Sequence, residues 1–126
     1  MLKIYLYLCL SHVLMEVFGK TKCTLDSDGV CQFENVHTTE KDQYFEPTAD
    51  NPEQVTEVKF RNSTLAVFTN ELCEAFPNLE VIHATILGIN RITENAFENC
   101  KNLTEAWFEG NKIKELPDDL IKNNLE

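Results

Sequence analysis

The chain has 126 residues and a formal net charge of −10, from 21 acidic and 11 basic residues, and this length is typical of a single domain. The basic residues are scattered and form no patch, which disfavours binding to nucleic acid or to anionic lipid, because both need a positively charged face. The acidic excess mainly favours solubility.

The first 19 residues have the pattern of a secretory signal peptide. A lysine supplies the positive start, residues 4–14 are mostly apolar, and Val17 and Gly19 place small side chains at positions −3 and −1 of a cleavage site. We therefore expect a secreted, extracellular protein that begins at residue 20. A buried N-terminal helix and a signal anchor are the alternatives, but the apolar run is shorter than the about 20 residues of a stable membrane-spanning helix. No other stretch of the chain is predicted to cross a membrane.

Residues 20–54 are predicted to form a cap and a connecting segment. Cys23 and Cys31 flank a run of turn residues at 26–29, and a strand over 30–36 is predicted to follow. Residues 37–54 are polar with two prolines, which indicates a connection in which Tyr44 and Phe45 pack on the cap or on the unit that follows.

From residue 55 onward an apolar pattern repeats every 24 residues, in copies 55–78, 79–102 and 103–126. Places one, four, six and eleven of each copy are held by Val55, Val58, Phe60 and Leu65, then Leu79, Ile82, Ala84 and Ile89, then Leu103, Ala106, Phe108 and Ile113. This spacing resembles the leucine-rich-repeat pattern L-x-x-L-x-L-x-x-N-x-L. The resemblance predicts an α/β solenoid, a right-handed coil of about three repeats behind an N-terminal disulfide cap. Parallel strands are expected near 55–60, 79–84 and 103–108.

The asparagine of that pattern is present only as Asn111, whereas Ser63 and Leu87 stand in the other copies. In leucine-rich-repeat proteins this side chain bonds the backbone of neighbouring coils. A serine can do so in part and a leucine cannot, so the resemblance predicts less regular structure in the first two turns.

Four cysteines remain once Cys9 is removed with the signal peptide, and an even number in a secreted chain is typical of disulfides. Three connectivities are open, and we favour the pairs Cys23–Cys31 and Cys73–Cys100. The second pair occupies inward places of adjacent coils, which stack about 4.8 Å apart, and a disulfide tolerates Cα separations of about 4.4–6.8 Å. Buried free thiols are the alternative for this pair. A metal site is disfavoured, because the spacing is not C-x-x-C and the histidines form no ligand pattern.

Two sequons, at Asn62 and Asn102, are candidate sites of N-glycosylation. The outward residues of the predicted strands form a concave face and are the candidate binding surface, namely Lys59, Arg61, His83, Thr85, Trp107 and Glu109. Lys59, His83 and Trp107 fall in one column, and aromatic residues are enriched at binding hot spots. The alternative is that Trp107 packs on His83 or is covered by a further coil. No catalytic motif, metal site or cofactor-binding loop is present, so we do not expect an enzyme.

A fourth copy would begin at position 127, and no capping sequence or cysteine pair follows residue 100. We therefore expect the chain to be truncated at its C-terminus, with a natural short form as the alternative. In either case Leu103, Phe108, Ile113, Leu116 and Leu120 would lie on an uncovered face, and self-association through this open end is expected.

The segments CQFENV, FPNLEVIHA and ITENAFENCKNLTEAWFEGNKIKELPDDL are similar to secreted leucine-rich-repeat proteins of mosquitoes and other flies. Some members of that group act in innate immunity, in disulfide-linked or coiled-coil complexes that hold complement-like proteins. The resemblance implies an extracellular protein-binding module in insect innate immune recognition, with an unidentified protein as ligand. The alternative is the N-terminal part of a membrane receptor or of a cell-adhesion ectodomain.

Overall fold

The computed structural model describes residues 20–43 and 45–120. The predicted signal peptide, Tyr44 and residues 121–126 lie outside the described residues. The strands, in chain order, are β1 (Lys20–Lys22), β2 (Thr24–Leu25), β3 (Val30–Glu34), β4 (Glu46–Thr48), β5 (Glu57–Arg61), β6 (Val67–Phe68), β7 (Val81–His83), β8 (Arg91–Ile92) and β9 (Glu105–Trp107). A 3-10 turn, Pro52–Gln54, precedes β5, and one α-helix, α1 (Glu71–Ala75), lies between β6 and β7.

The main sheet has the order β2-β3-β5-β7-β9, and its last four strands run parallel. The three strands predicted from the repeat are therefore confirmed as β5, β7 and β9. The strand predicted over 30–36 is also present as β3, and it extends the repeat sheet by one strand, paired with β5 over five residues. The cap thus shares its sheet with the repeats, which the spacing of the cysteines does not reveal.

A second, two-stranded parallel ladder joins β6 to β8 on the return side of the coils, and β1 pairs with β4 beside the cap. The molecule is therefore a solenoid of about three turns, as predicted. Helix is scarce among the described residues. The return of the first coil holds the five-residue α1, and that of the second is a series of turns over 94–99. The architecture is thus a β-solenoid, with less helix than the predicted α/β class implies.

The core is built from the inward residues of each coil. Val58 and Ile82, at the fourth place of successive copies, are fully buried because coils stack on both sides of them. Phe33 of the cap contacts Phe45, Phe60 and Phe76, with ring centroids 5.2, 5.4 and 6.3 Å away. The predicted packing of Phe45 on the cap is therefore correct. Burying an aromatic side chain of this size stabilises the folded state by about 1.5–3 kcal/mol, so this cluster is a main link between cap and first coil.

Both favoured disulfides are present in the structure. Cys23 is bonded to Cys31 with a Cα separation of 5.4 Å, and Cys73 to Cys100 with 4.8 Å. All four cysteines belong to the buried core. The first bond closes the turn of the cap, and the second ties α1 to the return segment of the next coil.

The side chain of Asn111 connects the second and third coils. Its Oδ1 accepts hydrogen bonds from the backbone N–H groups of Leu87 and Ile89, at 2.9 and 3.1 Å. Its Nδ2 donates to the carbonyls of Ala84 and Phe108, at 2.6 and 2.8 Å. One residue thus satisfies four backbone groups where the strands turn away from the sheet.

The other two junctions differ from each other. Ser63 accepts a bond from the N–H of Val36 and donates to the carbonyl of Arg61, and the β3–β5 ladder at this junction has five residue pairs. At the next junction Leu87 replaces the asparagine, and the β5–β7 ladder has two pairs. The predicted loss of regularity therefore holds where leucine stands, and it is wrong where serine stands, because Ser63 still accepts a hydrogen bond from the backbone of the neighbouring strand segment.

The strands of the cap and of all three coils leave the sheet through a residue with positive φ. These residues are Asn35 (58°), Asn62 (49°), Ile86 (54°) and Gly110 (73°). Asparagine and glycine adopt this left-handed conformation readily, whereas a β-branched residue does so only under strain. Ile86 is therefore the exception in this column of turns.

The end of the solenoid is only partly open. Leu103, Phe108 and Ile113 are half-buried against the core, and Leu116 is 62% exposed. Leu120 is 8% exposed and belongs to the core cluster, so its predicted place on an uncovered face is wrong. A turn in which the N–H of Leu120 donates to the carbonyl of Pro117 returns this side chain to the core.

Candidate protein-binding surface

The candidate binding residues lie on one face of the main sheet, opposite the core. We call the outward side chains of β3, β5, β7 and β9 and of the residues that directly follow these strands the outer sheet face. The strand register places Gln32 beside Lys59 and His83 beside Trp107, and the β5–β7 register continues this row from Lys59 to His83. Parallel strands without register shifts align equivalent places of each copy. The predicted column Lys59–His83–Trp107 is thus brought together.

Arg61, Thr85 and Glu109 form the adjacent row, two residues further along each strand. Glu34 of β3 pairs in register with Arg61, and the backbone carbonyl of Glu109 accepts the N–H of Ile86, next to Thr85. Arg61 and Glu109 are exposed and Thr85 is half-buried. The six residues selected from the sequence therefore share one continuous surface.

The basic groups at the β5 end of this face are already paired. Oε1 of Glu57 lies 2.7 Å from Nε2 of His83 and 3.3 Å from Nζ of Lys59. The guanidinium of Arg61 lies 3.8 Å from the carboxylate of Glu34. The pairs of Lys59 and Arg61 are exposed and contribute about 0–1 kcal/mol each to stability, so their main effect is to neutralise these two charges. The contact between His83 and Glu57 is half-buried and is an ion pair only when the imidazole is protonated.

The opposite end of the face carries an exposed aromatic ring. Trp107 is 43% exposed, and its indole N–H donates to Oε2 of Glu105 at 3.0 Å. This hydrogen bond satisfies the polar edge of the ring and fixes its orientation. An exposed, oriented indole is the kind of side chain that anchors protein interfaces.

Acidic residues lie on both sides of Trp107 along the chain, with Glu105 two residues before it and Glu109 two residues after it. Glu80, Glu105 and Glu109 are exposed, and within residues 20–43 and 45–120 no basic side chain forms an ion pair with any of them. The outer sheet face is therefore electrostatically asymmetric, neutralised at β5 and negative at β9.

Ile86 is a surface residue that the sequence analysis did not select. It follows the β7 row at the strand-leaving turn and is 78% exposed. Its Cγ1 would lie 2.9 Å from a Cβ at position 110, so Gly110 provides the space that the isoleucine side chain needs. The available signal was an apolar β-branched residue at the eighth place, where the other copies have Asn62 and Gly110.

The two sequons lie at the surface. Asn62 is exposed, and its Nδ2 donates to Oδ1 of Asn35. Asn102 is exposed in the turn before β9, where Thr104 of the same sequon donates to the carbonyl of Glu80. Their glycosylation stays a prediction.

Other chemistry is limited in the part of the chain that the structure describes. No group of three or more His, Cys, Asp or Glu side chains suited to a metal ion occurs there, and no helix there is long and apolar enough to cross a membrane. Burial raises the pKa of the Glu71 carboxyl above its ordinary value, and the nearby charge of Glu74 raises it further, whereas a backbone hydrogen bond lowers it. Glu71 begins α1 on the return side, away from the outer sheet face.

No family model and no curated protein sequence matches the chain. Two solved structures are similar to it. The crystal structure of the APL1 leucine-rich repeat domain superposes with a TM-score of 0.68 and 26% identity, over 82% of this chain and 27% of that one. The crystal structure of the LRIM1/APL1C complex gives a TM-score of 0.74 and 25% identity, over 82% of this chain and 20% of that one. The chain thus spans only about a quarter to a fifth of these relatives, and its fold is that of a leucine-rich-repeat domain.

Proposed function

We propose that this chain is an extracellular, protein-binding leucine-rich-repeat module that acts in insect innate immune recognition. The observation that carries the proposal is the outer sheet face, on which Lys59, His83 and Trp107 lie in one row with Trp107 exposed and oriented by Glu105. A continuous parallel sheet with a hydrogen-bonded aromatic anchor suits a protein surface better than a small molecule.

Two further observations support the extracellular location and the protein partner in this proposal. Both disulfides are buried in the core, and such bonds persist in oxidising compartments. The fold is similar to an APL1 leucine-rich repeat domain and to chains of the LRIM1/APL1C complex, the second of which is an assembly of proteins. By analogy, the partner of this chain is a protein.

Localisation is tested by expressing the full chain in insect cells. We expect the product in the medium, beginning at Lys20, without free thiols and with a mass that falls on enzymatic removal of N-glycans. A product that keeps the first 19 residues and stays on the cell surface would favour the receptor or adhesion alternative. Reduced protein in the cytoplasm would contradict the extracellular assignment.

Binding is tested by capture from insect haemolymph on the immobilised secreted protein. The double variant His83→Ser/Trp107→Ser removes two members of the row, and Glu94→Ser/Glu98→Ser is a matched control on the exposed return turns. We expect the control to retain the same protein as the unmodified chain and the row variant to lose it. Equal capture by both variants, or no specific capture at all, would contradict a binding role of the outer sheet face.

A further inference from the structure

We propose that the β9 end of the outer sheet face binds a basic segment of a protein partner, with a lysine or arginine at Trp107 and an apolar neighbour at Ile86. This inference rests on the proposed function and specifies the chemistry of the partner. The proposed site comprises Glu105, Trp107, Glu109, Thr85 and Ile86.

The charge distribution indicates the sign of the partner. Lys59 and Arg61 each lie beside a carboxylate of their own face, so their positive charges are already offset for an acidic ligand. The carboxylates of Glu105 and Glu109 have no basic partner within residues 20–43 and 45–120. Complementary charge across an interface accelerates association and excludes wrong partners, and here the complementary charge is positive.

The exposed ring of Trp107 favours a positively charged side chain of the partner over a neutral polar one. A lysine or arginine stacked on an indole is attracted by the ring quadrupole, and tryptophan is the strongest aromatic partner for such a contact. The N–H of this ring is already occupied by Glu105, so the ring is held in place before the partner arrives. The same carboxylate then lies beside the incoming positive charge.

Ile86 adds an apolar contact near the end of β9. It stands next to Gly110, in the turn that begins after Trp107. The partner segment therefore carries an apolar side chain close to its basic one. Ile86 keeps a left-handed conformation that disfavours β-branched residues, although asparagine and glycine occupy the equivalent turns. Strain that local structure does not require is a pointer to function.

The chain itself provides the reporter for a test, because Trp107 is its only tryptophan. The secreted full chain is titrated with three short peptides of equal length, which share their leucines and carry lysine, glutamine or glutamate at the other positions. We expect the lysine peptide to change the Trp107 emission saturably, with an affinity that falls as salt is added. An unchanged emission, or equal responses to the lysine and glutamate peptides, would overturn the proposal.

Variants separate the contributions. Glu109→Gln and Glu105→Gln remove charge and keep a hydrogen-bond acceptor, and each is expected to weaken binding of the lysine peptide about 2–5-fold. The control Glu98→Gln, on the return side, should leave the affinity unchanged. If Glu98→Gln weakens binding as much as Glu109→Gln, the effect is one of overall charge, and the proposed site is wrong.

Ile86→Asn gives a readout that a merely structural role does not produce. Asparagine relieves the strain of the positive φ, so this variant should unfold at a higher urea concentration than the unmodified chain, and yet it should bind the lysine peptide several-fold more weakly. Unchanged affinity would remove Ile86 from the site.

The two proposals fail in different ways. If the haemolymph partner is captured through the outer sheet face but the lysine peptide neither binds nor competes, the basic-segment inference is wrong and the protein-binding function stands. If row variants leave capture intact, the proposed function itself is wrong.

Discussion

Replacing Asn111 by alanine should produce one of the largest losses of stability available in this chain. The substitution removes four hydrogen bonds to backbone groups, two to N–H donors and two to carbonyls. A protein hydrogen bond contributes a net of about 0.5–1.5 kcal/mol, so four would give about 2–6 kcal/mol. Because the side chain is only half-buried, water can replace part of this, and we expect a loss of about 2–4 kcal/mol.

Two other variants set the scale. Ser63→Ala removes two bonds at the equivalent place of the first coil, and we expect it to cost about 1–2 kcal/mol. Asn90→Ala alters an exposed asparagine of the same coil region and should change stability by no more than about 0.5 kcal/mol. The assay is urea unfolding of the oxidised protein, followed by circular dichroism. The dependence of the unfolding free energy on urea concentration is compared among the variants, to check that all of them unfold in the same way.

The order of the stability losses of the three variants shows whether the hydrogen bonds of Asn111 stabilise the fold. A loss for Asn111→Ala no larger than that for Ser63→Ala would show that the carbonyl and N–H groups find water without cost. The regularity of the coils would then come from core packing alone, and the resemblance of this side chain to the asparagine of the repeat would have no energetic meaning.

Three further predictions concern other parts of the molecule. Replacing both Cys73 and Cys100 by alanine should cost about 2–5 kcal/mol in urea unfolding, and a loss below about 1 kcal/mol would show that packing holds α1 without the bond. Glu71→Gln should raise stability near pH 7 and have a vanishing effect below the ordinary Glu pKa of 4.5; a benefit that persists at low pH would refute the burial argument. The folded state holds the Glu71 proton more tightly, so stability falls as pH rises from 4.5 through the raised pKa. The half-buried apolar residues around Leu116 should promote self-association that increases with concentration in sedimentation velocity, and Leu116→Lys should reduce it. A chain that stays monomeric at all concentrations would contradict this prediction.

The solenoid was predictable because its cause is periodic. Val58 and Ile82 occupy the same place in successive copies and are both fully buried, as stacked coils require of their inward residues. The Cys73–Cys100 bond followed from the same register, since the two places face each other only if the coils stack in phase. Most of the fold could therefore be predicted from the periodic spacing of buried residues.

What the sequence did not reveal depends on contacts that break the period. The pairing of β3 with β5 joins a cap of different sequence to the repeats. The sharing of Glu57 between Lys59 and His83 depends on side-chain conformations, which spacing alone does not fix.

The position of Ile86 shows how the same turn can be tuned for stability or for contact. Asn35, Asn62 and Gly110 occupy left-handed turns at little cost, and an asparagine at position 86 would do the same. A strained β-branched residue in this conformation costs of order 1–3 kcal/mol, a large share of the 5–15 kcal/mol that stabilises a typical domain. Such a cost brings no packing gain in the core, because the side chain is 78% exposed. This cost therefore favours a role in contact with a partner, in the site that we propose Ile86 forms with Trp107 and Glu109.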